Sequence, residues 1–324
     1  MLSLREPVAR NGVSAAPVKT GPDKAGLDKR IMLAAGFAIV TWASAFPLIK
    51  IVLHDYSPEH FVVLRYLVAS LTLFLLVRPR KIPNLVDAGK FMLCGGVGLA
   101  AYNLALGFGE QQVASGVASL LVSTSPIFTA IFACLLLKEK MSAAGSVGLT
   151  LGFSGAVLIA CSGGLSSFSP ASLAILGAAV MQGLYVVLNK PLLKRYSAGE
   201  CATYIAMGAF LPLSFLLPQA ALHASQAPVL STLALLYLAI VPAALGSVAW
   251  GAILSRLPAS TAGSLLYLVP VISCTLAAFW LGEQPNLVSF VGAAVAACGV
   301  KFVTASKQTK EIKLSGAKLL QVTQ

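Results

Sequence analysis

The chain has 324 residues, of which 57% are hydrophobic and only 10% are charged, and its formal net charge at pH 7 is +12. Soluble domains carry roughly 25% charged residues, so this composition excludes an ordinary soluble globular protein and is typical of a protein in a lipid bilayer. The few charges should lie outside the lipid, so any exception is informative.

The apolar residues fall into ten blocks of about 20 residues. An α-helix of that length, rising about 1.5 Å per residue, crosses a hydrocarbon core of roughly 30 Å. Strands of a membrane barrel would alternate apolar and polar residues, whereas these blocks are continuously apolar, so the pattern predicts an all-α membrane protein with ten transmembrane helices. The predicted spans are 31–53, 59–78, 88–109, 112–137, 142–162, 170–193, 199–218, 230–253, 258–281 and 286–305.

Before the first span, residues 1–30 form a basic tail rich in Pro and Gly, which we expect to be disordered. The first span is longer than the apolar core of a signal peptide, so it should be retained. It carries Trp42 and Ser44 at mid-depth and Lys50 near its end, and the second span contains Arg65. A cation at such a place either snorkels to the interface or meets an anionic group of a substrate, such as a carboxylate.

The third and fourth spans add polar groups and a helix breaker. Tyr102 and Asn103 lie within the third span, and Ser123 precedes Pro126 in the fourth. Proline lacks an N–H and clashes with the carbonyl one turn earlier, so we expect Pro126 to bend its helix, with tolerance by packing alone as the alternative. Glycines on one face of the fifth span let another helix approach closely, either in the monomer, which we prefer, or in a homodimer.

The second half repeats this distribution with different side chains. Gln182 and Tyr185 lie within the sixth span, Trp250 within the eighth, and Tyr267 before Pro270 in the ninth. An amide that faces lipid is costly, so Gln182, like the asparagine of the third span, should face the bundle interior. Pro270 is expected to bend the ninth span as its counterpart bends the fourth.

The basic residues indicate orientation. With ten spans, all but two of the 23 Lys and Arg lie in the tails and in the connections on one side of the membrane. The positive-inside rule places that side, and both termini, including the basic tail 306–324, in the cytoplasm, which suits an inner (plasma) membrane protein. The net charge is thus a topology signal, and we expect no nucleic-acid partner. Only Lys50 and Arg65 are left over.

The chain also contains an internal repeat. A shift of 144 residues aligns the end of the first half with the end of the second, and a shift of 140 weakly aligns the earlier parts. Each half, 31–162 and 170–305, holds five spans, an odd number, so the halves should enter the membrane from opposite faces as an inverted repeat. Rare residues in register under the first shift are Pro126 with Pro270, Glu139 with Glu283, Gly148 with Gly292 and Gly155 with Gly299.

The run "TWASAFPLIKIVLHDYSPEHFVVLRYLVA" and the paired proline-to-glutamate blocks resemble the EamA-type domain of the drug/metabolite transporter superfamily over residues 31 to 305. This resemblance implies ten helices in two inverted five-helix repeats around a central cavity, and export of small metabolites. Among members, the chain looks most like bacterial exporters of amino acids and metabolites, including aromatic amino acids. It departs from symmetry because the second half has Gln182 in place of Trp42 and no arginine in place of Arg65.

We therefore expect a small-molecule transporter with no cofactor and no metal, since the sequence contains neither a metal-ligand spacing nor a nucleophile–base motif. No Asp or Glu lies at mid-depth of a predicted span, which favours facilitated transport by alternating access over proton exchange through a peripheral carboxylate. The composition is also compatible with an exporter of cationic drugs, and with a membrane scaffold or receptor that transports nothing. The expected substrate-binding residues are Trp42, Ser44, Lys50, Arg65, Tyr102, Asn103, Ser123, Gln182, Tyr185, Trp250 and Tyr267.

Overall fold

The computed structural model describes residues 29–137, 143–160, 169–255, 268–284, 286–299 and 301–302, and every regular element within them is helical. Seven helices are long and apolar enough to cross a membrane, and three shorter apolar helices accompany them in the described ranges. The all-α membrane class is confirmed, whereas the count of ten spans stays a prediction. The helices are α1 (Lys29–Asp55), α2 (Pro58–Val77), α3 (Leu85–Glu110), α4 (Ser115–Val122 and Ser125–Leu137), α5 (Ala143–Ala160), α6 (Pro170–Asn189), α7 (Ala198–Gln226), α8 (Val229–Leu238 to Gly246–Leu254), α9 (Leu268–Leu281) and α10 (Leu287–Gly299).

Several helices begin where the sequence supplies a cap. The side chains of Ser57 and Ser169 accept hydrogen bonds from backbone N–H groups three residues later, and Pro58 and Pro170 follow them at the first helical position. Ser197 forms a capping box at the start of α7. These residues satisfy N–H groups that have no partner inside the helix, so they fix where each apolar run becomes helical.

Two helices contain π-helical turns at corresponding places. The turn in α3 spans Gly96–Ala101, and the turn in α8 spans Ala239–Leu245. The 144-residue shift carries 96–101 onto 240–245, within the second turn. Wide turns of this kind leave local backbone groups available to side chains and are common at functional sites. The two halves therefore share an irregularity that apolar periodicity does not reveal.

Glycines allow close packing between helices. A Cβ on Gly155 of α5 would lie 2.5 Å from the Gly292 carbonyl oxygen of α10, and a Cβ on Gly299 would lie 2.5 Å from the Gly148 carbonyl oxygen. The glycine face predicted on the fifth span thus packs against α10 of the same chain. The oligomeric state stays a prediction.

The two ends of the helical bundle differ in charge. We call the end with Asp55, Glu110 and Glu283 the acidic end, and the end with Lys81 and Arg195 the basic end. Polar contacts join the two halves of the chain at both ends.

At the basic end, Arg195 Nη1 lies 3.1 and 3.2 Å from the carboxylate oxygens of the buried Asp87, and the Tyr196 hydroxyl donates to the same carboxylate at 3.1 Å. At the acidic end, the hydroxyls of Tyr56 and Thr232 lie 2.8 Å apart, and Ser231 donates to Asp55.

Candidate functional site

A cavity of about 150 Å³ lies among α1, α2, α3, α4, α6, α8 and α9. A cavity of roughly this size can hold a benzene-sized molecule. The helices α3 and α8 line it with residues that the 144-residue shift places in register, so the repeat is visible in the cavity wall. These pairs are Leu99 with Ala243, Asn103 with Ser247, and Leu106 with Trp250.

Most of the residues predicted from the sequence lie around this cavity, as do the two prolines. Ser44 and Lys50 are absent from its lining, and Tyr267 lies outside the described residues. The predicted residues that line the cavity are Trp42, Arg65, Tyr102, Asn103, Ser123, Gln182, Tyr185 and Trp250, together with Pro126 and Pro270.

Arg65 supplies positive charge to the cavity. Its Nη1 donates a hydrogen bond of 2.8 Å to Asn103 Oδ1, while its buried Nε has no hydrogen-bond partner among the described residues. The side chain is 6% exposed, and its guanidinium carbon lies 5.4 Å from the Phe61 ring centroid and 5.9 Å from that of Tyr66. A buried cation with a free donor favours a bound anion, because an unpaired buried charge is costly.

Asn103 holds this arrangement in place. Its Nδ2 donates to the Tyr66 hydroxyl at 2.7 Å and to the Leu99 carbonyl oxygen, within the π turn of α3, at 2.8 Å. Because both amide hydrogens are used in this way, Oδ1 is directed at Arg65. The π turn therefore orients Asn103, and Asn103 in turn orients Arg65.

Another part of the cavity wall is aromatic. Trp42 and Trp250 lie with ring centroids 5.2 Å apart and planes tilted by 56°, and Trp42 Nε1 donates to the Pro242 carbonyl oxygen at 3.1 Å. Pro242 belongs to the π turn of α8. Each π turn thus gives one carbonyl oxygen to a side chain that lines the cavity, asparagine in one half and tryptophan in the other. An apolar group of a ligand would find its contact surface here.

Lys50 and Ser44 have partners elsewhere. The Lys50 ammonium donates to the carbonyl oxygens of Glu110 at 2.6 Å and Val113 at 2.9 Å, so it caps the end of α3. Ser44 Oγ donates to the Thr41 carbonyl oxygen at 2.9 Å and lies 2.9 Å from the Tyr237 hydroxyl. Both residues therefore stabilise contacts around the cavity instead of facing into it.

The fourth helix is interrupted just before Pro126, and the predicted bend at this residue stays a prediction. Residues 123 and 124 form a turn between the two segments of α4, and Pro126 is the second residue of the segment Ser125–Leu137. The hydroxyls of Ser123 and Thr124 donate to carbonyl oxygens three residues earlier, at 2.6 and 2.7 Å. Pro270 is the third described residue of α9, and the residues before Leu268 are not described.

Some residues of the site were not predicted. Tyr66, Ser119 and Ser247 line the cavity, and Glu110 is fully buried at the end of α3. The repeat offered one signal, since Ser247 is the equivalent of Asn103 under the 144-residue shift. The predicted spans place Glu110 in a connection between helices, where a carboxylate is expected to be exposed to water. Among the described residues, no cluster of three His, Cys, Asp or Glu side chains could hold a metal ion.

Comparisons with known proteins agree with a transporter. The EamA-like transporter family matches residues 29–161 and 169–305, so two copies of its domain account for most of the chain. A crystal structure of a protein with 20% sequence identity covers 87% of this chain and 99% of its own, with a TM-score of 0.57, and this likeness concerns the fold alone.

Three relatives illustrate the similarity in sequence. A "Probable terminal-alkyne amino-acid exporter" of Streptantibioticus cattleyicolor is 37% identical, over 82% of this chain and 90% of its own length. An uncharacterized transporter of Bacillus subtilis is 34% identical, over 84% of this chain and 90% of its own. A "Probable amino-acid metabolite efflux pump" of Salmonella typhimurium is 28% identical, over 81% of this chain and 90% of its own.

Proposed function

This chain belongs to the EamA-like transporter family, and we propose that it exports amino acids, aromatic and other neutral ones, by alternating access around the cavity. The family and the seven apolar helices make it a multi-pass membrane transporter of small molecules and not an enzyme. The names of two relatives concern amino acids or their metabolites, which supports the substrate class. One observation supports this substrate class most strongly: Arg65 is buried in the cavity wall, and its Nε has no hydrogen-bond partner among the described residues.

An amino acid suits this cavity because it combines a charged carboxylate with a side chain that can be apolar. A carboxylate at Arg65 would accept charge-assisted hydrogen bonds from the guanidinium, worth about 1.5–3 kcal/mol in a partly dry site. An apolar side chain would lie against Trp42 and Trp250. Arg65 takes precedence over Lys50 in this role, because the Lys50 ammonium already donates to two carbonyl oxygens.

Drug export and a scaffold or receptor role fit the cavity less well. A cationic drug needs an anionic or acceptor-rich wall, whereas Arg65 is the single charged side chain among the described residues that line the cavity. A scaffold or receptor would need no polar cavity at all.

We propose the finer architecture on the same grounds. The two domain copies would form ten spans in two inverted five-helix repeats, 31–162 and 170–305, between the cytoplasmic tails 1–30 and 306–324. The protein would lie in the inner membrane as a monomer, with a homodimer as the alternative, and its basic end would face the cytoplasm. Thiol labelling of single cysteines placed in 163–168 tests this topology: labelling from the outside is expected, and labelling only from the cytoplasm would contradict it.

Substrate recognition is tested by transport with the purified full-length protein in liposomes. Phenylalanine and phenylalaninamide share the aromatic ring and the amine, but only phenylalanine has a carboxylate. In Arg65→Gln we expect phenylalanine flux to fall about ten- to a hundredfold, because a charge-assisted bond is lost, while the flux of the amide changes little.

Lys50→Gln is the matched control, because it removes a cation from outside the cavity. Any loss in this variant should affect both substrates alike. Equal loss of both substrates in Arg65→Gln, together with a lowered melting temperature, would make Arg65 a structural anchor. Absence of transport for every amino acid in a panel would reject the proposed function.

A further inference from the structure

Glu110 is a buried carboxyl group that substrate binding does not use. It is the last residue of α3, its side chain is fully buried, and neither carboxyl oxygen has a hydrogen-bond partner among the described residues. An ionised carboxylate in such surroundings is costly, because burial removes water and nothing replaces its hydrogen bonds. Membrane proteins keep groups of this kind where they have a function.

A second glutamate at the acidic end shows what a structural carboxylate does. Glu283 Oε2 accepts hydrogen bonds from the backbone N–H of Ser115 at 2.7 Å, from the Ser115 hydroxyl at 2.8 Å and from the Gly116 N–H at 3.4 Å. It therefore caps the first segment of α4. Glu110 lies near this group but has none of these donors, so packing and capping do not explain it.

The charged groups that act on Glu110 come from three other elements. They are Lys50 of α1, Arg65 of α2 and Glu283 after α9. The helix α6, which packs along this part of α3, contains Tyr185 but no charged residue, and the first segment of α4 contains none. Both nearby cations are held by neutral partners, Lys50 by carbonyl oxygens and Arg65 by an amide oxygen.

We propose that the Glu110 carboxyl is a proton-binding site that couples amino-acid export to the entry of a proton. With the proton bound, the side chain is neutral, which lowers the cost of its burial. When the proton leaves, the carboxylate needs a cation, and Lys50 already donates to the carbonyl oxygen of the same residue. Transfer of the ammonium to the carboxylate removes it from the carbonyl oxygens of Glu110 and Val113, so proton occupancy changes how the end of α3 is capped.

The same helix connects this site to the substrate. Asn103, which orients Arg65, lies two turns before Glu110 on α3, and Leu106, one turn before it, lines the cavity. A shift of the end of α3 therefore reaches the residues that hold the carboxylate of the substrate. This coupling rests on the proposed function, since it assumes an amino acid at Arg65.

The test separates exchange from net transport in liposomes with labelled phenylalanine. Exchange of labelled for unlabelled phenylalanine at equal pH needs no net proton movement. Uptake into vesicles with an acidic lumen does, and with the membrane potential held at zero by an ionophore a pH difference of about one unit can support roughly tenfold accumulation if one proton leaves for each neutral substrate that enters. We expect the wild type to accumulate phenylalanine, and Glu110→Gln to exchange it at a similar rate without accumulating it.

Two control variants accompany this test. Glu59→Gln removes a partly exposed glutamate from the same end and should accumulate phenylalanine like the wild type. Glu110→Asp keeps a carboxyl group and should keep some accumulation. Accumulation by Glu110→Gln, or exchange without accumulation by the wild type, would overturn the proposal.

A measurement without substrate distinguishes this proposal from the proposed function. Infrared difference spectra of the purified wild type, recorded while the pH is raised, should show loss of the C=O stretch of a protonated carboxyl, and the band should be missing in Glu110→Gln. If no amino acid is transported but this band is found, the proposed function fails while proton binding at Glu110 stands. If the band does not depend on Glu110, the proton site is wrong even where transport is observed.

Discussion

The two halves of the cavity have the same backbone frame and different chemistry. In α3 and in α8, a π turn is followed by residues that line the cavity in the same register. In the first half this frame carries Asn103, which orients Arg65; in the second it carries Ser247 and Trp250. At the position that the 140-residue shift pairs with Arg65, the second half has Ile205.

The shared backbone frame and the different side chains have different functions. A repeated frame lets both halves make equivalent movements, which alternating access requires. A small asymmetric ligand needs one charged pole and one apolar wall, and two identical halves could not supply both. The side chains diverge where they face the ligand, while the π turns that position them stay in register.

Removal of the Asn103 side chain is expected to have the largest effect on the difference between the two halves. Its amide holds Arg65, Tyr66 and the Leu99 carbonyl oxygen, so Asn103→Ala frees the guanidinium and leaves buried polar groups unpaired. We expect phenylalanine flux in liposomes to fall about tenfold or more, and the free energy of unfolding to fall by roughly 1–3 kcal/mol. Flux within twofold of the wild type would show that Arg65 does not depend on this amide.

A smaller effect is expected from filling the space beside the π turns. A Cβ on Gly98 would lie 2.6 Å from Tyr185 Cβ, whereas a Cβ on Gly246 would lie 3.0 Å from Trp42 Nε1. We expect Gly98→Ala to destabilise the protein by about 1–3 kcal/mol through overpacking, and Gly246→Ala by less. Thermal unfolding in detergent measures both. Gly177→Ala is the control, because a Cβ at this position would have no neighbour within 4 Å. Equal melting temperatures for all three variants would contradict the expected overpacking at Gly98 and Gly246.

The smallest effect belongs to Ser247, the counterpart of Asn103. It lines the cavity but has no charged partner to orient among the described residues. Ser247→Ala should therefore change phenylalanine flux by less than about twofold, since a neutral hydrogen bond contributes little net free energy. A loss as large as that of Asn103→Ala would mean that the two halves bind the substrate in equivalent ways.

Much of the cavity lining could be predicted from the cost of polar groups in lipid. Asn103 and Gln182 were expected to face inward for that reason, Trp42 and Tyr185 were expected there as aromatic residues at mid-span depth, and all four line the cavity. The exclusion of Lys50 and the burial of Glu110 could not be predicted, because both depend on which backbone atoms of other helices lie within reach. The π turns were also missed, since a local change in hydrogen bonding leaves the apolar pattern unchanged.

The membrane class, the apolar helices and the internal repeat follow from the amino-acid sequence alone, because apolar length, charge distribution and register are properties of consecutive residues. The different roles of the two remaining cations depend on tertiary packing. Lys50 and Arg65 flank the same connection between α1 and α2, yet one reaches the carbonyl oxygens that end α3 and the other reaches an asparagine in the cavity wall. The partner of a charge depends on which helices are neighbours, and the packing of the whole bundle sets that neighbourhood.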